Sequence, residues 1–366
     1  MIKFPLIASL VALMAASSLS AQENEKKEYP SPNAIVDAAP ASDWQAISAN
    51  DLLVMDLPPD AKGEARRVVI QLMPPPFSQG WIGNIRKLAA AKFWDGTSIN
   101  RVQDNYVVQW GDAGYDNPES GEVEQKALPE GLVEVPESEY EITVEQYLNF
   151  DEANGSAGDA AMAAADAMAV AGQVAQAMAQ MEAEEKMRAA DPDYRKWEER
   201  DPYSEYAQFL DGWPMANAGD QDDGVLWPIH CYGAVGVGRN LSPNTGTGAE
   251  LYTVIGHAPR HLDRNIAVVG RIVEGIEHLS SLPRGKGQLG FYADPKKRVP
   301  IQSIRLGTAL PDAEQPRFKY LDTASKSFAR YADARANRRD PFFIKPAGGA
   351  DICNIPVPVR RVKAGE

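Results

Sequence analysis

At 366 residues the chain is long enough for one large domain or two ordinary ones. Its 44% hydrophobic content against 24% charged residues argues against wholesale disorder. A net charge of -14 argues against a nucleic-acid partner, because binding phosphates needs a basic face. The basic residues that do cluster, Lys296-Lys297-Arg298 and Arg338-Arg339, read as solvated surface or as partners of the acidic middle of the chain.

In chain order, residues 1–21 read as a secretory signal: Lys3, an apolar run from Phe4 to Ala16, then small residues ending near Ala21. The run is shorter than the roughly 20 apolar residues that span a bilayer. The expectation is therefore an exported, periplasmic protein with no membrane span in the mature chain. Residues 22–50 are polar with several prolines and read as a linker. A β-branched run at 67–73 stops at Pro74-Pro75-Pro76, which cannot continue a ladder. Trp81, Ile85, Leu88 and Ala89 then recur at helical spacing. After a turn at Asp95-Gly96, strands are predicted at 97–102 and 106–110, with Asp104-Asn105 as a two-residue turn.

The character changes between about 115 and 224, which reads as an insertion. An acidic stretch leads into an Ala- and Met-rich segment reaching Ala190. Val170, Val174, Met178 and Met181 form one stripe of a predicted helix that ends at Asp191-Pro192. Such a stripe packs on its own domain more often than on a client. Aromatic residues between Trp197 and Trp213 read as anchors to the main body. Strands are predicted again at 233–237, 251–255, 267–273 and 299–306, with a short helix at 276–282. Residues 311–366 form a C-terminal extension with a helix predicted at 323–336. The count implies a mostly antiparallel β fold, barrel or sandwich, carrying two helices. The two cysteines, Cys231 and Cys353, are either one disulfide or two buried thiols.

Several chemistries lack their residues. His257 and His261 are spaced for a metal on a helix, but Pro259 lies between them, so no metal site is expected. There is no Gly-x-Ser-x-Gly elbow, no phosphate loop and no dinucleotide fingerprint.

The stretch Phe93-Trp94-Asp95-Gly96-Thr97-Ser98-Ile99-Asn100-Arg101-Val102, followed by Val107-Val108-Gln109-Trp110-Gly111-Asp112, resembles the cyclophilin signature. So do Pro243 to Tyr252, similar to the family's Gly-Ser-Gln-Phe-Phe loop and strand, and Leu262-Asp263 with Val268-Val269-Gly270-Arg271-Ile272. The resemblance covers residues 66–112 and 230–306. It implies an eight-stranded antiparallel barrel capped by two helices, a domain over 51–310 interrupted by the insertion, and peptidyl-prolyl cis-trans isomerase activity on proline-containing polypeptides without metal or cofactor. By the same resemblance Arg101 is the catalytic arginine and Gln109 holds the substrate backbone and orients it. Tyr106, Val107, Asn240, Glu250, Tyr252, His261 and Leu262 match substrate-binding positions. The sequence departs from the family at Asn100, Trp110, Glu250, Leu251, His261 and Ile266, and Glu250 is expected to pair with Arg101 and weaken it. The rival reading is a catalytically weak peptide-binding module of the same fold.

Overall fold

A computed structural model describes residues 29–114, 120, 124–153, 201–219 and 223–362. The signal segment and the Ala- and Met-rich helix predicted from sequence lie outside the described residues. Among those described, no helix is long and apolar enough to cross a membrane.

The chain enters through a short helix α1 (Pro32–Asp37), capped by the Ser31 hydroxyl, which accepts from the Ala34 amide. Strands β1 (Trp44–Ile47), β2 (Leu52–Leu57) and β3 (Arg66–Leu72) follow, then helix α2 (Gln79–Ala90), β4 (Ser98–Val102) and β5 (Val107–Gly111). The insertion and its return contribute β6 (Ile142–Thr143), β7 (Tyr206–Leu210), β8 (Trp213–Ala218) and β9 (Val225–Pro228). The main sheet resumes with β10 (Ala234–Val237), β11 (Leu251–Val254) and β12 (Val268–Glu274), before the one-turn helix α3 (Glu277–Ser280), β13 (Val299–Pro300) and β14 (Ser303–Leu306). The C-terminal extension adds β15 (Phe318–Leu321), α4 (Lys326–Ala336) and β16 (Val359–Arg361).

Nine strands make one curled antiparallel sheet in the order β13-β4-β5-β11-β10-β12-β3-β2-β14. The two outermost strands are consecutive on the chain: Ile301 donates to Thr97 on one side and Gln302 to Asp56 on the other. The strand expected at 299–306 is thus split in two where it leaves one edge of the sheet for the other. Inside the curl lie Leu53, Met55, Val68, Ile70, Ile99, Val108 and Trp110, closed over by Trp81, Ile85 and Leu88 of α2. Trp81 donates its indole N–H to the carbonyls of Thr245 and Gly246, and Trp94 donates to Ala249, so both buried rings are satisfied. The unbroken apolar run Leu52 to Met55 follows from burial on both faces of β2. Leu53 and Met55 face the main core, while Leu52 joins Ile47, Val69 and Phe318 in a second, outer cluster.

Where the structure describes it, from residue 29, the segment expected as a linker is folded. β1 pairs with β15 from Trp44↔Leu321 to Ile47↔Phe318, and α1 packs Ile35 against Phe328 of α4. The segment looked like a tether because its partner lies nearly the whole chain away. The described residues between 124 and 228 include a helical stretch at 144–153 and a four-stranded sheet in the order β6-β9-β8-β7. Trp213, one of the expected anchors, is buried in the main core.

Two contacts bind these layers. Arg271 of β12 donates to Gln71 Oε1 at 2.9 Å and to the Gly212 carbonyl at 2.6 Å. Its guanidinium lies 4.4 Å from the Trp213 ring and 6.0 Å from Tyr320, joining barrel, insertion and C-terminal extension. Burial pushes its pKa down to about 10, which still leaves it charged at neutral pH. The second contact is covalent: Cys231 and Cys353 form a disulfide across 122 residues. Closing a loop of that size restricts the unfolded chain by about 2–5 kcal/mol. Reduction, or a paired Cys231→Ser/Cys353→Ser substitution, is expected to lower stability by that order, read as a lower urea midpoint.

Candidate active site

The site is built on the β4–β5 hairpin, and its register differs from the one expected. Gln103 N–H donates to the Val107 carbonyl at 2.9 Å, leaving a three-residue loop, Asp104, Asn105 and Tyr106, in which Asn105 takes φ +50°. The loop is one residue longer than the predicted Asp104-Asn105 turn. Arg101 therefore faces Gln109, where the shorter turn would have set it opposite Val108. A bulge between Ile99 and Arg101 turns Asn100 inward, fully buried, while Arg101 stays on the outer face.

Arg101 is held from several sides. Its Nε donates to the Leu289 carbonyl at 2.7 Å, one terminal nitrogen to Gln109 Oε1 at 3.1 Å and the other to Gln103 Oε1. The Tyr106 and Phe291 rings flank it at 5.7 and 5.6 Å. Gln109, almost wholly buried, donates its amide N–H to Glu250 Oε2 at 3.2 Å, and Asn100 approaches the same oxygen at 3.5 Å. The carboxylate thus orients the Gln109 amide, directing its carbonyl at the guanidinium. Gly111 permits this closeness, since a Cβ there would come within 2.0 Å of Glu250 Oε1.

Beside Arg101 lies a cavity of about 350 Å³. Among the residues singled out from sequence, it gathers Arg101, Tyr106, Val107, Gln109, Asn240, Tyr252 and Leu262. Two others stand elsewhere. Glu250 sits behind Gln109, 2% exposed, outside the lining. His261 is exposed and stacks on Tyr106 from outside, with ring centroids 6.4 Å apart. The sequence reading missed Leu289 and Phe291, which border the site because Phe291 bridges to the outer edge of β4 at Arg101. No local pattern marks them; only the fold brings that loop back. It also missed Arg239, whose guanidinium donates to the Asn265 and Asn240 carbonyls on the opposite rim.

The pocket floor is Tyr252, 5% exposed, with its hydroxyl 2.9 Å from His230 Nε2. Burial raises the pKa of Tyr252 well above that of a free phenol, and burial likewise raises Tyr106, with the Arg101 charge opposing it. Both phenols are therefore neutral at physiological pH. The arrangement is a permanent cation beside a hollow of mixed polar and apolar lining, with a buried carboxamide next to it. It can grip a small apolar ring and place donors against a nitrogen or carbonyl at its edge.

A family model described as "Cyclophilin type peptidyl-prolyl cis-trans isomerase/CLD" matches residues 80–306. Among solved structures, cyclophilin AquaCyp293 from Hirschia baltica is similar at 18% identity and a TM-score of 0.54, over 88% of this chain and 95% of that one. A cyclophilin type peptidyl-prolyl cis-trans isomerase from Cryptosporidium parvum, crystallised in the presence of the dipeptide Ala-Pro, aligns over 72% of this chain and 98% of its own. Its identity is 9% and its TM-score 0.33. No curated protein matches.

Gly236 of β10 pairs directly with Tyr252, and a Cβ there would meet the end of the phenol ring at 2.4 Å. Gly236→Ala is expected to destabilise the fold by about 1–3 kcal/mol, the usual result of overpacking. Chemical denaturation reads this as a reduced midpoint.

Proposed function

The chain belongs to the cyclophilin-type peptidyl-prolyl cis-trans isomerase family, and from that we propose that Arg101 drives the isomerisation in proteins exported across a membrane. Rotation about an X–Pro bond is slow because the amide loses its resonance at a quarter turn, against a barrier of roughly 18–20 kcal/mol. In the twisted form the proline nitrogen becomes pyramidal and carries a basic lone pair. A donor aimed there stabilises the twisted amide more than either planar form. The guanidinium suits this, since it never titrates near neutral pH and offers donors in a fixed fork.

In this reading the proline ring rests on Tyr252 between Val107 and Leu262, with Tyr106 as the side wall. Gln109 takes the substrate backbone, and Asn240 and Arg239 border the chain where it leaves the pocket. The observation that carries the proposal is the outward-facing Arg101, held by Gln109 and backed by two aromatic rings at the mouth of the cavity. No covalent intermediate is needed. Export is supported by the apolar N-terminal run and by the Cys231–Cys353 disulfide, a bond that persists in oxidising compartments.

Arg101→Ala is expected to lower kcat/KM for a short proline peptide by about 10²–10³, the value of one preorganised donor to developing charge. Equal rates for the two proteins would remove Arg101 from the mechanism. The pH dependence follows from the same groups. Burial disfavours the phenolates of Tyr106 and Tyr252, so their pKa values move up and both stay neutral through alkaline pH. With the guanidinium charged throughout, kcat/KM is expected to stay level from about pH 7 to 9.5. A decline in that window, with the fold intact by circular dichroism, would mean that one of these tyrosines ionises in the working site.

A further inference from the structure

The Tyr252 ring lines the cavity, yet its hydroxyl points into the protein, to a group that the isomerase mechanism does not use. His230 is fully buried and engaged at both ring nitrogens, Nδ1 to Asp263 Oδ1 and Nε2 to the Tyr252 hydroxyl, each at 2.9 Å. The backbone N–H of His230 donates to the same Asp263 oxygen at 3.0 Å. A carboxylate only accepts, so a proton sits on Nδ1, and in that tautomer Nε2 accepts from the phenol. Burial keeps that phenol protonated and able to donate.

The chain of contacts continues outward. Asp263 Oδ2 accepts from Arg260 Nε, and Arg260 donates on to Asp201 Oδ2 at 2.6 Å; both partners of Arg260 are nearly inaccessible to solvent. The Tyr203 ring lies 5.0 Å from the same guanidinium. Asp201 and Tyr203 belong to the return limb of the insertion. Asp263 thus binds His230 through one carboxylate oxygen and Arg260 through the other, which ties the ring to the insertion's return limb.

We propose that His230 is a positioning residue of the proline pocket, drawing the Tyr252 hydroxyl away from the cavity so that an aromatic face forms the floor, and that the insertion maintains this through Asp201, Arg260 and Asp263. The inference rests on the reading above that the proline ring sits on Tyr252. Without an acceptor behind it, the phenol would turn toward the pocket to find water, placing a hydrated group where an apolar ring must bind.

A double-mutant cycle on His230 and Tyr252 tests this, with Kd for a proline tetrapeptide and KM and kcat for its isomerisation measured for each protein. His230→Phe, which keeps a ring but removes the acceptor, is expected to raise Kd and KM about tenfold, the worth of one buried hydroxyl losing its partner, with a smaller change in kcat. In a Tyr252→Phe background the same substitution is expected to have no further effect, because there is no hydroxyl left to hold. An unchanged Kd in His230→Phe, or an equal loss in both backgrounds, would overturn the proposal, since a merely structural histidine is insensitive to the tyrosine hydroxyl. Asp201→Asn, at the far end of the chain of contacts and milder for folding, is expected to raise Kd severalfold in the same tyrosine-dependent way. Wild-type binding by that variant would overturn the insertion's part. Arg101→Ala in the same series separates the two readings: equal turnover with wild type defeats the arginine mechanism, while the peptide Kd values still decide the role of His230.

Discussion

The site depends on one register, the pairing of Arg101 with Gln109 across β4 and β5. Side chains alternate faces along a strand, so a slip of one residue would turn the guanidinium to the opposite face and leave the pocket without its cation. Three features hold the pairing in place. The loop of Asp104, Asn105 and Tyr106 sets the strand offset. The bulge at Asn100 absorbs one residue, so that Ile99 still enters the core while Arg101 points out. Phe291 then covers the outer edge of β4, and the neighbouring Leu289 carbonyl fixes the Arg101 Nε.

Behind that pair, Glu250 is joined to Arg101 through the Gln109 amide. Here the Gln109 amide bonds to both groups, accepting from the arginine through its oxygen and donating to Glu250 through its nitrogen. Amide polarity converts the buried negative charge into an orienting device, with the Gln109 dipole aligned between the two ions. The altered residue at position 250 is thereby consistent with an intact Arg101–Gln109 unit.

The parts outside the main sheet cover surfaces that would otherwise expose apolar strands. β1 and β15 lie over Leu52 and Val69, and the insertion hairpin buries Trp213 and Met215 against the core. Arg271 stands where barrel, insertion and extension meet, its charge distributed over two ring faces and two acceptor oxygens. The buried contacts from Asp201 through Arg260 and Asp263 to His230 run from the return limb to Tyr252. The described residues from Asp201 to Met215 are therefore part of the packing around the site.

The elements with a local period were legible in the sequence. The apolar stripe of α2, most strands of the main sheet (β2 was not foreseen) and the motif order that marked the family emerge from spacing along a few tens of residues, because the period of a helix or strand is set within the element itself. Cyclophilin membership and the neighbourhood of Arg101, Tyr106, Val107 and Tyr252 follow from those stretches. The rest is decided by partners distant in sequence: β1 on β15, Cys231 on Cys353, Phe291 on Arg101, and Asp201 on Arg260. A one-residue difference in turn length was enough to move Gln109 opposite Arg101, and no periodicity reports it. Local pattern determined which segments become strands and helices, and tertiary structure alone decided which side chains meet, because a non-local contact is set by the closing of the whole sheet and not by the residues on either side of it.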